Sequence, residues 1–173
     1  VHLASVANAQ RLLCNLESYD WIVLTSPSAV KILMRLMKEY GLDLRVLPQI
    51  AVSGPATARE LSRNGLCASI CPRNSIGSKG FLESALAEIG EGQTVLRLRS
   101  DKAGAGLSEQ LGGAGAKVTD VVLYCNEPIL YDHLPDYDIV FFASSSAVDV
   151  FVSGWSVDAL RGKTVVASGR PTA

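Results

Sequence analysis

The stretch YDWIVLTSPSAVKIL, Tyr19–Leu33, returns later in the chain as YDIVFFASSSAVDVF, Tyr137–Phe151, without a gap. Tyr, Asp, two Ser, Ala and Val stand in the same register. Further on, IAVSGPATA (Ile50–Ala58) aligns with VVASGRPTA (Val165–Ala173), in the same order and at a similar spacing. Two matches in order read as an internal duplication. Each copy starts with an apolar run of strand length, passes through a turn of small residues, and continues with apolar positions at helical spacing.

The same alternation runs through the rest of the chain. Strands are predicted at Trp21–Thr25, Ile50–Ser53, Ala68–Cys71, Val95–Leu98, Lys117–Tyr124, Ile139–Ala143 and Val165–Ser168. Helical spacing falls between them, at Ser28–Tyr40, Ala56–Asn64, Lys79–Ile89, Gly106–Leu111 and Ala147–Ser153. Strands alternating with helices define an α/β protein, expected here as two related α/β domains with mainly parallel sheets. Gly41, Gly65 and Gly90 each follow a helical stretch, where a left-handed cap is expected.

The chain of 173 residues is 48% hydrophobic and 19% charged, with a net charge of -1. A near-neutral chain has no basic excess for a phosphate backbone, so no nucleic-acid partner is expected. No apolar run approaches the roughly 18 residues of a membrane span, and no signal-peptide layout opens the chain. Cys14, Cys67, Cys71 and Cys125 are scattered, and His2 and His133 lie far apart, so no metal site is expected. Reduced cysteines fit a cytoplasmic protein. Val1 in place of Met, and a pattern still running at Ala173, give the expectation that both ends are cut.

The repeated turns are the candidate binding device. One copy reads Thr25-Ser26-Pro27-Ser28 and its partner Ser144-Ser145-Ser146. The other pair reads Ser53-Gly54-Pro55 with Thr57 close behind, against Ser168-Gly169-Arg170-Pro171-Thr172. A helix start offers free N–H groups and partial positive charge, so it holds carboxylates without a formal cation. Small residues admit the ligand and hydroxyls add donors. In parallel sheets such turns share the carboxyl edge, where ligands bind. Ser and Thr are also the commonest helix caps, which is the structural alternative at each turn.

Other features carry less. Arg97 and Arg99 alternate along one strand, which makes Arg99 a candidate for a substrate carboxylate or for an ordinary ion pair. Tyr124 ends the strand KVTDVVLY at the expected functional edge, though a lone tyrosine at a strand end more often packs than reacts. The run Gly104–Glu109 imitates a dinucleotide fingerprint, but Glu109 replaces the third glycine and would repel a pyrophosphate. Met34 and Met37 read as core filler. No Ser-His-Asp set and no Cys-His pair can be assembled.

In order, the blocks YDWIVLTSPSAV, VSGPATARELSRNG, VLRLRSDKAG, GAKVTDVVLY, DIVFFASSSAV and ASGRPTA resemble the uroporphyrinogen-III synthases. The resemblance covers nearly the whole chain. It implies two α/β domains joined by extended linkers with the active site in the cleft between them. Residues 1–124 would be the middle domain and 125–173 part of a second, split one. It further implies cyclisation of hydroxymethylbilane with loss of water and inversion of the last pyrrole, without metal or organic cofactor, in a monomer acting in tetrapyrrole biosynthesis. Tyr124 matches the family tyrosine proposed as proton donor. Ser26, Ser28, Thr57, Ser144, Ser146 and Thr172 match cleft positions, and with Thr25, Gly54, Gly169 and Arg99 they form the expected substrate-binding set. The rival readings are a non-catalytic two-domain module for a small polyanion, and one domain of a larger fusion.

Overall fold

The computed structural model describes residues 2–3, 12–72, 78–129, 131–169 and 172–173. The chain divides into two compact units, the first ending at Asn126 and the second running Glu127–Ala173.

The first unit is built on five strands: β1 (His2–Leu3), β2 (Trp21–Leu24), β3 (Gln49–Val52), β4 (Thr94–Ser100) and β5 (Lys117–Cys125), in the order β1-β5-β4-β2-β3. β2 pairs in parallel with β3 and β4, and β4 with β5; only β1 runs antiparallel, against the end of β5. The helices are α1 (Pro27–Glu39), α2 (Pro55–Ser62), α3 (Ser78–Glu88) and α4 (Gly106–Gly113).

A parallel sheet needs cover on both faces, and the alternating strand residues supply two cores. Ile22, Leu24, Ile50, Val52, Leu96 and Leu98 form one core with Val30, Leu33, Leu36 and Met37 of α1 and Leu61 of α2. Trp21, Val23, Ala51 and Val95 form the other with Phe81 and Ala85 of α3 and Leu111 of α4. On α1 the buried positions recur at helical spacing while Lys31, Arg35 and Lys38 stay exposed. Each fully buried leucine there stabilises the unit by about 1.5–3 kcal/mol.

Two local expectations are corrected. Ala68–Cys71 does not form a strand of its own. It contributes a single bridge, Ala51 to Ile70, because Pro72 follows and cannot donate to a ladder. Gly41 and Gly65 have positive φ after their helices, but Gly90 does not. Its N–H is held by Gln93 Oε1 at 2.8 Å, and the left-handed residue is Gly92 (φ 78°), two positions later.

Arg97 and Arg99 point to the α3/α4 side of the sheet, where both meet Asp120 of β5. The contacts are Arg97 Nη1 to Oδ2 at 3.2 Å and Arg99 Nε to Oδ1 at 2.9 Å. Arg97 also donates to Gly104 O and Ser108 Oγ, each at 3.0 Å, and Arg99 to Ser100 O and Ala103 O. One carboxylate and two guanidiniums thus shape the loop that follows β4. Burial pushes the Arg97 guanidinium below its ordinary value, and Asp120 opposes this. Its Nε is buried without a hydrogen-bond partner among the described residues.

The second unit holds β6 (Ile139–Phe142), α5 (Ser145–Trp155) and β7 (Thr164–Ala167), with β6 parallel to β7. Phe142 and Phe151 meet edge-on at 5.4 Å between centroids, fastening α5 to the strand. Ile139 and Phe141 remain exposed.

Replacing Asp120 with Ala strands two guanidiniums, so we expect a loss of about 3–5 kcal/mol in a urea titration at neutral pH. A loss under about 1 kcal/mol would show that the network does not hold the β4–α4 loop.

Candidate active-site edge

Ser26 sits in extended backbone (φ -150°, ψ 153°) at the carboxyl end of β2, with Pro27 opening α1. Its Oγ accepts the N–H of Ala29 at 3.1 Å. The same oxygen lies 2.8 Å from the hydroxyl of Tyr124, a residue 98 positions away in sequence. Because Pro27 has no N–H and Ala29 is taken, Ser28 holds the remaining first-turn donor. At the next helix start Gly54 caps α2 with no side-chain bond, and Pro55 follows. The first-turn donors there are the N–H groups of Ala56 and Thr57. Nothing lies within 4 Å of the place a Gly54 Cβ would occupy, so a ligand can approach that backbone closely.

Tyr124 reaches Ser26 because of a β-bulge. Along β5, Val118 and Asp120 pair with Val95 and Arg97, and Val122 with Arg99, but Tyr124 rather than Leu123 pairs with Ser100. Strict alternation would turn Tyr124 to the side of Asp120. The extra residue turns it to the α1 side, where it and Leu123 both join the core. Asp101 secures the turn: its N–H donates to Tyr124 O at 3.0 Å, and its carboxylate accepts the N–H of Asn126 at 3.0 Å. Burial pushes the Asp101 carboxyl up, but the Asn126 N–H and the charge of Lys102 outweigh it and hold the group below its usual range.

The second unit repeats the cap and strand-end bonds of this geometry. Ser144 Oγ accepts the N–H of Ala147 at 3.3 Å, as Ser26 accepts that of Ala29. Ser168 Oγ donates to Ala143 O at 2.8 Å, as Ser53 Oγ donates to Thr25 O at 2.9 Å. Thr164 N donates to Asp138 O and Gln49 N to Asp20 O, and the strand pairs keep the same register. The duplication read in the sequence is therefore a duplication of hydrogen bonds. The copies differ at the cap: Ser144 Oγ meets Ser146 Oγ at 3.0 Å instead of a tyrosine.

Of the residues singled out in the sequence, Thr25, Ser26, Ser28, Gly54 and Tyr124 share the carboxyl edge of the first unit. Ser144, Ser146, Gly169 and Thr172 lie at the repeated turns of the second, while Arg170 and Pro171 of that turn fall outside the described residues. Two placements differ from expectation. Thr57 begins its helix as expected, but the residue is buried, so it presents no hydroxyl surface to a ligand. Arg99 is bound to Asp120 and the loop carbonyls, on the opposite side of the sheet from Ser26 and Tyr124. Sequence reading missed the ties made by Ser53 and Ser168, although both serines stood in the repeat alignment. It missed Asp101 and Asp120 because their partners come from other strands and loops. Among the described residues no helix is long and apolar enough to cross a membrane.

Repeated strand–turn–helix units, with helix starts at the carboxyl ends of parallel strands, define an α/β protein. Residues 2–173 match the uroporphyrinogen-III synthase HemD family, and the chain belongs to it. It is 28% identical to the porphyrin biosynthesis protein HemD of Ruminiclostridium josui, covering 92% of this chain and 33% of that protein. The chain thus spans about a third of the length of that curated relative. A mutant uroporphyrinogen III synthase of the extremely thermophilic bacterium Thermus thermophilus has a similar fold, with TM-score 0.63 and 21% identity over 99% of this chain and 73% of that chain. So does uroporphyrinogen-III synthetase of Helicobacter pylori, with TM-score 0.63 and 20% identity over 90% of this chain and 70% of that chain.

Ser26→Ala removes both a helix cap and the tyrosine's partner. We expect it to lower stability by about 1–2 kcal/mol in urea unfolding. Tyr124→Phe keeps the ring packed and should lower it by about 1 kcal/mol, with a double-variant loss smaller than the sum of the two. Additive losses would mean that the two hydroxyls do not interact.

Proposed function

We propose that this chain forms part of an enzyme that cyclises hydroxymethylbilane to uroporphyrinogen III, with loss of water and inversion of the last pyrrole. Family membership supports the reaction, and one observation supports its location: the Ser26–Tyr124 hydroxyl pair beside the open start of α2. The substrate carries eight carboxylates, and the first unit offers them backbone donors at Ser28 and Ala56.

The chemistry asks little covalent work of the protein. Departure of the terminal hydroxyl leaves an electrophilic azafulvene. Attack from the substituted position of the same ring gives a spiro intermediate, which fragments and recloses in the inverted sense. Holding the chain so that this route outruns simple closure is a positioning task. A proton for the leaving hydroxyl lowers the first barrier, and Tyr124 is its proposed source. Arg99, engaged by Asp120, organises the neighbouring loop instead of binding a carboxylate. The non-catalytic binding module has no observation of its own in its favour. A cytoplasmic location fits four free thiols.

Given hydroxymethylbilane, the full-length protein should form the type III isomer faster than the uncatalysed reaction forms type I, with the isomers separated chromatographically. Only the symmetric type I ring, at the uncatalysed rate, would remove the enzyme reading.

A further inference from the structure

We propose that Ser26 is the group that touches the leaving hydroxyl, and that Tyr124 acts through it as the inner member of a two-hydroxyl proton relay. This rests on the cyclising function proposed above and assigns its proton path.

Tyr124 is 4% exposed and packed in the core between β5 and α1, so its hydroxyl is poorly placed to meet a substrate directly. That hydroxyl lies 2.8 Å from Ser26 Oγ, and Ser26 is only half-buried, at the carboxyl edge. A serine oxygen has two acceptor positions and one proton. The Ala29 N–H fills one acceptor position at 3.1 Å. If Tyr124 donates into the second, the Ser26 proton is free to point away from both, toward the edge. In the opposite arrangement Ser26 donates inward and offers nothing to a ligand. A substrate hydroxyl accepting from Ser26 selects the first arrangement.

The step balances. As the C–O bond of the substrate breaks, the departing oxygen takes the proton of Ser26 Oγ and leaves as water. Ser26 takes the phenol proton in the same event, and Tyr124 becomes a phenolate. The positive end of α1 and the Ser26 hydroxyl stabilise that charge. The proton released when the ring closes returns along the same two oxygens and restores the tyrosine. The second copy of the duplicated turn lacks this arrangement, because Ser144 Oγ meets Ser146 Oγ in place of a phenol.

The test uses the full-length protein and hydroxymethylbilane, with wild-type formation of the type III isomer as the reference. Tyr124→Phe and Ser26→Ala should each lower kcat about a hundredfold. The double variant should be no slower than the slower single one. Ser26→Thr keeps cap and hydroxyl and should stay within about threefold of wild type. Ser26→Asn keeps the cap and can donate a hydrogen bond but cannot pass a proton on, so KM should hold while kcat stays at the Ser26→Ala level. Wild-type kcat in Ser26→Ala, restored kcat in Ser26→Asn, or losses that multiply in the double variant would each overturn the relay while leaving the cyclase intact. A wild-type protein that makes only the type I ring would overturn the cyclase itself, and the relay with it.

Discussion

A single extra residue in β5 decides what the carboxyl edge of the first unit presents. Without the bulge at Leu123, Tyr124 would lie beside Asp120 on the α3/α4 face, and Ser26 would cap α1 with no partner for its hydroxyl. With it, the phenol turns into the α1 core and closes a 2.8 Å contact with a residue from another strand end. Packing in that core thus sets the position of the phenol at this edge. The two ionic contacts of Asp120 hold the other face of the same strand pair and keep the loop after β4 in place. Asp101 in that loop then fastens the backbone on either side of Cys125.

The duplicated unit shows how little sequence such a scaffold needs. One serine caps the helix and another ties the neighbouring strand end to the turn, and both devices recur in the second unit with nearly the same distances. The starts of α1 and α2 are not equivalent. α1 has a serine on one of its first-turn donors, whereas α2 begins at a glycine with no side-chain cap. A glycine cap costs only a few tenths of a kilocalorie per mole relative to serine and leaves the first-turn donors uncapped.

Much of this was legible in the sequence, for identifiable reasons. Apolar runs such as WIVL read as buried parallel strands because they are buried on both faces, and the repeat alone places the turns. A packing role for Tyr124 was legible, but the face it takes was not, since a bulge leaves no mark in an apolar run. The fate of Arg99 was half legible. Its side of the strand followed from alternation with Leu96 and Leu98, but its partner Asp120 lies on another strand, 21 residues on. Gly90 misled because a glycine after a helix has more than one use, and here Gln93 holds its N–H while Gly92 makes the turn.

The central claim is that carboxylates dock on the open helix starts beside the Ser26–Tyr124 pair. The most direct measurement is an amide NMR titration of the isotope-labelled full-length protein with uroporphyrinogen III, the proposed product. The account predicts saturable shifts at the N–H groups of Ser28 and Ala56. Saturable binding that leaves those two amides unmoved would contradict it.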